Sequence, residues 1–293
     1  MLALALQVLL IAAALGLAAA FLRRYRAELD AGALRLRILA MSAVANFFDT
    51  LGIGSFAPTT AILKAFRMTS DDRIPGTLIV GYALPSMFGA FLLLGLIEVS
   101  PSLLAACIVA AVLGATFGAR IVAKAPVRAI RIGMGVALCV AGLFYAARNL
   151  DLFPPGGSAL GLDGAAFVAA VAGHFAFGAL MTIGVGFFAP SLILLTLLGM
   201  DTRAVFPIMM ASSAFLMPAA GFSFIAAGRL DPKLCAAFAL GGLPGVVVAA
   251  FVVKEIPLEA LRWLVAFVVL VAGAMMLASA ASDPARSGAA RRG

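Results

Sequence analysis

Asp49 is the one acidic residue set well inside an apolar stretch of this 293-residue chain, between ILAMSAVANFF and TLGIGSFAP. A carboxylate near the middle of a membrane-crossing helix costs about 2.5–3.5 kcal/mol on insertion scales. A carboxyl kept at that cost has two uses. It can cap unpaired backbone N–H groups, here at Gly52 or Ser55, or it can carry a proton during transport. His174, within AAVAGHFAFGAL, is the single histidine. Its reference pKa of about 6.5 makes it a second candidate proton carrier. The competing reading is a neutral ring hydrogen-bonded to a neighbouring helix. One His and one Asp are too few ligands for zinc, so no metal site is expected.

The remaining polar groups gather at two places. Asn46, Thr50, Ser55, Thr59 and Thr60 surround the turn that holds Gly52, Gly54 and Pro58. Thr182 and Ser191 flank the turn that holds Gly184, Gly186 and Pro190. Glycine permits backbone angles that no helix uses, and proline fits the first turn of a new helix. Each turn therefore predicts a helix that stops and another that starts near Pro58 or Pro190. The first N–H groups of such a helix are unpaired and its dipole is positive there. Two N-termini facing each other in mid-membrane would bind an anion mainly through backbone, with the nearby hydroxyls assisting. Thr77, Tyr82, Ser86, Ser212 and Ser213 on the following segments are weaker candidates, since core packing explains them equally well.

The two turns are copies of one another. TLGIGSFAPT (50–59) aligns without gaps to TIGVGFFAPS (182–191) at an offset of 132, with six of ten positions identical. The match runs through Met68/Met200 and Pro75/Pro207 to Gly89/Gly221. After a one-residue slip it resumes at Pro101/Pro232. Asp49 has Met181 as its counterpart, so the duplication is broken at the carboxylate. The expected division is an N-terminal helix with a basic loop (1–35), repeat one (36–148), an external Pro/Gly-rich linker (149–163), repeat two (164–282) and a basic tail (283–293).

These turns have to be positioned by membrane helices. The chain is 64% hydrophobic and only 12% charged, about half the charged share of a soluble domain. That composition excludes a soluble enzyme, a disordered chain and a disulfide scaffold. The net charge of +8 fits basic cytoplasmic loops better than nucleic-acid binding, because no aromatic residues interleave with the basic ones. Cys107, Cys139 and Cys235 are isolated in apolar runs and read as small hydrophobes. The run Leu2–Leu22 precedes its arginines, the reverse of a cleaved signal, and reads as a retained helix. Residues 164–199 would form a continuous helix of about 54 Å at 1.5 Å per residue. That exceeds a bilayer core of about 30 Å, so each repeat should open with a hairpin of two short helices. Three full spans follow: 74–97, 102–123 and 129–148 in the first half, then 206–228, 234–253 and 260–282. With doubled-back openers and the N-terminus outside, 17 of the 21 basic residues fall on the inner side. The fold expected is an all-α polytopic protein whose two four-segment halves are inverted, the architecture of secondary transporters.

No Walker-A, HExxH or serine-elbow motif occurs. No cofactor is expected, and an intramembrane enzyme built on Asp49 and His174 has little support. The segments NFFDTLGIGSFAPTTAILK (46–64) and GALMTIGVGFFAPSLILLTLLGMDTRAVFP (178–207), with the four-plus-four arrangement, resemble the TauE/SafE family of membrane permeases. The resemblance covers nearly all of 36–282. It implies movement of a small sulfur-containing anion such as sulfite or an organosulfonate, often outward, across a bacterial cytoplasmic membrane. The familiar members carry a long GGGG-like run where this chain has only GIG and GVG. The function expected is a proton-coupled secondary transporter, whose partners are the anion, the bilayer and, in a homo-oligomer, further copies of itself. The alternative is a non-transporting membrane accessory or sensor protein, which should tolerate loss of the polar groups at the turns.

Overall fold

A computed structural model describes residues 2–29, 35–50, 54–94, 99–152, 157–184, 186–252 and 258–281. Gly52 and the tail 283–293 lie outside the described residues. The chain is helical: α1 (Leu2–Tyr25), α2 (Leu36–Thr50), α3 (Phe56–Ala65), α4 (Ile74–Leu93), α5 (Pro101–Val122), α6 (Val127–Asn149), α7 (Gly164–Met181), α8 (Phe188–Leu197), α9 (Thr202–Ala227), α10 (Pro232–Val252) and α11 (Leu258–Ala281). Among the described residues, seven helices are long and apolar enough to cross a bilayer. Leu4, Val109, Phe117, Val168 and Phe267 stand on the outside, whereas Ser42, Asn46, Asp49, Ser55 and His174 are buried. Apolar side chains facing out and polar ones facing in mark a protein whose solvent is lipid. The chain is an all-α polytopic integral membrane protein.

Each expected opener is interrupted, as α2/α3 and α7/α8, but α7 is not a short helix: its 18 residues put it among the seven long enough to cross a bilayer. The spans fall close to the expected segments, and α3 and α8 begin two residues before Pro58 and Pro190. Proline costs nothing there, because the first N–H groups of a helix have no intrahelical acceptor in any case.

Hydrogen bonds between loops sort the helix ends into two groups. At one end, Tyr25 Oη donates to the Ile225 carbonyl at 3.3 Å, and Arg229 Nη1 donates to the Ala125 carbonyl at 2.7 Å. Asp231 N donates to Thr77 Oγ1 at 2.9 Å at the same end. Asp71 Oδ2 there accepts from Lys64 Nζ at 2.6 Å and Arg131 Nε at 2.7 Å, and Arg131 Nη1 reaches the Ser279 carbonyl at 3.3 Å. At the other end, Gln7 Nε2 donates to the Phe91 carbonyl at 3.0 Å and Ser100 N to the Leu160 carbonyl at 2.9 Å. Asp201 N donates to the Ala159 carbonyl there at 2.9 Å. These bonds place the end of α3 at the first end, and the approach to α7 and the exit from α8 at the second. Helices α4 and α9 lie side by side and run in opposite directions.

The two halves pack reciprocally. Hairpin helix α2 lies against α10 and its counterpart α7 against α5, while α4 pairs with α9 and α6 with α11. Close approach depends on glycine. A Cβ on Gly114 would collide with the Phe175 carbonyl, and one on Gly245 with the Ala43 carbonyl. Gly114/Gly245 and Ala43/Phe175 are counterpart positions in the duplication, so the same contact is made twice. Small residues are the usual means of bringing membrane helices together, since lipid offers no hydrophobic drive between them.

Candidate functional site at the paired helix breaks

In the first break the chain leaves α2 at Thr50 and enters α3 at Phe56. Gly54 holds φ +88°, a left-handed angle that a side chain resists. Asp49 Oδ1 accepts from Ser55 N–H at 2.6 Å. The carboxyl therefore sits at the N-terminus of α3, on the positive end of its dipole. It is 7% exposed. Around it, Thr50 Oγ1 donates back to the Asn46 carbonyl at 2.9 Å, and Asn46 Nδ2 donates to the Ser42 carbonyl at 3.0 Å. Thr59 Oγ1 and Tyr82 Oη share a hydrogen bond of 2.8 Å that ties α3 to α4. Among the described residues, three buried polar atoms here have no partner: Asn46 Oδ1, Ser55 Oγ and Thr60 Oγ1. Buried polar atoms are nearly always paired, so three orphans at one break call for an explanation.

The second break repeats the first with different chemistry. Gly184, the counterpart of Gly52, holds φ +95°. Thr182 Oγ1 donates to the Ala179 carbonyl at 2.6 Å. His174 lies 2.8 Å from the Ala170 carbonyl through Nδ1 and 3.1 Å from Ser191 Oγ through Nε2. A carbonyl only accepts, so Nδ1 carries the hydrogen, and Nε2 of the neutral ring accepts from the Ser191 hydroxyl. The ring is a fully partnered staple between α7 and α8, packed edge-on to Phe187. Pro190 lies in the first turn of α8, as Pro58 does in α3. Beside Gly186, the position of a Cβ has none of the described residues within 4 Å.

The second break approaches helix α3. A Cβ on Gly184 would lie 3.8 Å from Thr60 Oγ1 of α3 and 3.2 Å from Met134 Cε of α6. Asp49 and His174 serve different hairpins, the first α2/α3 and the second α7/α8. Four of the expected hydroxyls, those of Thr50, Thr59, Thr182 and Ser191, already bond within the protein, whereas Thr60 Oγ1 has no partner among the described residues. Ser42 and Met134 had not been singled out from the sequence. Ser42 donates to the Phe238 carbonyl at 2.8 Å. Its signal was the spacing Ser42, Asn46, Asp49, one polar stripe along a helix. Met134 carries no sequence signal, since its place depends on packing between helices far apart in the chain.

Two helical breaks inside a lipid-facing bundle, the second approaching α3 and the first surrounded by buried polar groups, mark a membrane protein with a buried polar centre. Residues 165–293 match the family described as Sulfite exporter TauE/SafE. The match bears out the resemblance carried by the glycine–proline segments, over the half that holds the second break. The family it identifies is one of membrane transporters. No curated protein and no solved structure matches the chain at a significant level.

Proposed function

We propose that the protein is a secondary transporter for a small anion, sulfite or an organosulfonate, built as two inverted repeats in a bacterial cytoplasmic membrane. The observation that carries this reading is the pair of helix breaks, the second approaching α3, with three buried polar atoms near the first that lack partners among the described residues. Unpaired N–H groups at a helix start attract an anion without a fixed positive side chain. Each helix end contributes up to about half a charge, enough to attract a small anion while leaving it free to depart. The groups assigned to the anion's path are Asn46, Thr50, Gly52, Gly54, Ser55, Pro58 and Thr59 at the first break. At the second they are Thr182, Gly184, Gly186, Pro190 and Ser191. Asp49 is the proton-coupling group: a charged carboxylate beside the site repels the anion, and protonation removes that repulsion. Proton and anion then move in the same direction. His174 is the weaker coupling candidate, because both its nitrogens are already partnered.

Opposed hairpins also suit alternating access, in which one half rocks against the other around a fixed central site. The test is flux in proteoliposomes against a panel of sulfite, sulfate, taurine, sulfoacetate and chloride, with an imposed pH gradient. Gradient-driven movement of sulfite or a sulfonate is expected. A protein that inserts and folds yet moves none of these anions would be a membrane accessory or sensor instead.

A further inference from the structure

We infer that the two breaks are not equivalent anion sites: the Asp49 carboxyl is a tethered anion that fills the slot at α3, and the substrate anion takes the matching slot at α8. This rests on the anion-transport reading above and assigns the place of binding within it.

The argument starts from the register of the duplication. At an offset of 132, Asp49 corresponds to Met181 and Ser55 to Phe187. In the first break Ser55 N–H donates to Asp49 Oδ1 at 2.6 Å, so the positive end of α3 carries an acceptor supplied by the chain. Helix α8 has the same length of 10 residues and starts at the corresponding position. The residue before its break is a thioether, Met181, where α2 has the Asp49 carboxyl, and its N-cap residue Phe187 carries no polar side chain. A helix start inside a low-dielectric interior with no anion of its own is the half of the pair that remains to be filled.

Two further observations point to a ligand there. Thr60 Oγ1 is fully buried, has no partner among the described residues, and lies 3.8 Å from the Cβ position of Gly184 in the second break. It is an O–H donor from repeat one held against the turn that leads into α8. Beside Gly186, a Cβ would meet none of the described residues within 4 Å. Together these describe a small oxyanion with at least two acceptor oxygens. One oxygen accepts from the first N–H groups of α8, and another accepts from Thr60. Asp49 shows the size that fits such a slot, a planar carboxylate. The Asp49 carboxyl at the other break is placed to sense the charge of the bound anion.

The experiment uses the full-length protein in proteoliposomes with sulfite as probe. Thr60→Val keeps the shape of the side chain and removes its donor. It should raise the KM for sulfite about tenfold with little change in maximal rate. Met181→Asp places a second tethered carboxylate in the slot and should reduce flux at least tenfold. Met181→Asn, similar in size and uncharged, should keep at least half of it. Wild-type KM in both Thr60→Val and Met181→Asp overturns the inference and leaves the anion-transport reading standing. Should Met181→Asp fail to give a monodisperse protein, Thr60→Val decides alone, and an unchanged KM there is sufficient refutation. A wild-type protein that moves no anion overturns both readings together.

Discussion

Replacing Asp49 separates its capping role from its charge. Its carboxyl accepts one short bond from Ser55 N–H at the start of α3. Hydrogen bonds to charged groups contribute about 1.5–3 kcal/mol and neutral ones about 0.5–1.5 kcal/mol. Asp49→Asn keeps an acceptor within the same reach, so its cost is the difference, roughly 1–1.5 kcal/mol. Loss of the interaction with the α3 dipole adds about 0.3–1 kcal/mol. Asp49→Ala removes the acceptor altogether, and the buried Ser55 N–H is left unpaired at a further cost of about 1–3 kcal/mol. At about 2–4 °C per kcal/mol for a large domain, the Asn variant should melt about 3–10 °C below wild type, and the Ala variant lower still. Thermal unfolding in detergent measures the first effect. Sulfite flux in proteoliposomes, measured at steps from about pH 5 to about pH 8, measures the second. The Asn variant should insert and fold but lose the pH dependence of flux. A wild-type pH profile in Asp49→Asn would reduce Asp49 to a structural cap. Equal melting points for the Asn and Ala variants would refute the capping geometry.

His174→Gln should lower the melting temperature by a few degrees, since it disturbs a staple worth about 1 kcal/mol per neutral hydrogen bond. Its pH–flux profile should match wild type; a shifted profile would make His174 a proton carrier after all. Gly186→Val should fold and lose flux, because its side chain enters the break without meeting any described residue, whereas Gly54→Val should misfold because φ is +88° there. Wild-type sulfite affinity in folded Gly186→Val would place the substrate elsewhere. Single cysteines at positions 70 and 201, in a chain whose own three cysteines are replaced, should react from opposite sides of the membrane in intact cells. Labelling from one side only would refute the inverted arrangement. Asp71→Asn should weaken the anchoring of Lys64 and Arg131 at one end of the bundle. The expected cost is about 1.5–3 kcal/mol, read as a lower melting temperature.

The sequence determined the helical class, the doubled segments and the two broken openers. Each of these is written in local chemistry. Runs of apolar residues set the spans, Gly54 and Gly184 set the left-handed turns, and Pro58 and Pro190 mark where helices restart. The exception at Asp49, with Met181 as counterpart, was also legible, because a lone carboxylate stands out in an apolar run. Which groups remain free was not legible. Thr59 and Thr60 are adjacent and chemically identical, yet Thr59 is taken by Tyr82 of α4 while Thr60 lies near Gly184 with no partner among the described residues. Ser191 and Thr59 are counterparts, yet one bonds to His174 within its own hairpin and the other to a different span. Those choices depend on which helix lies opposite each face. Glycine contacts between residues far apart in the chain, such as Gly245 with Ala43 and Gly114 with Phe175, fix that. Local propensity is encoded residue by residue, whereas the partner of a buried hydroxyl is decided only when distant helices close on it.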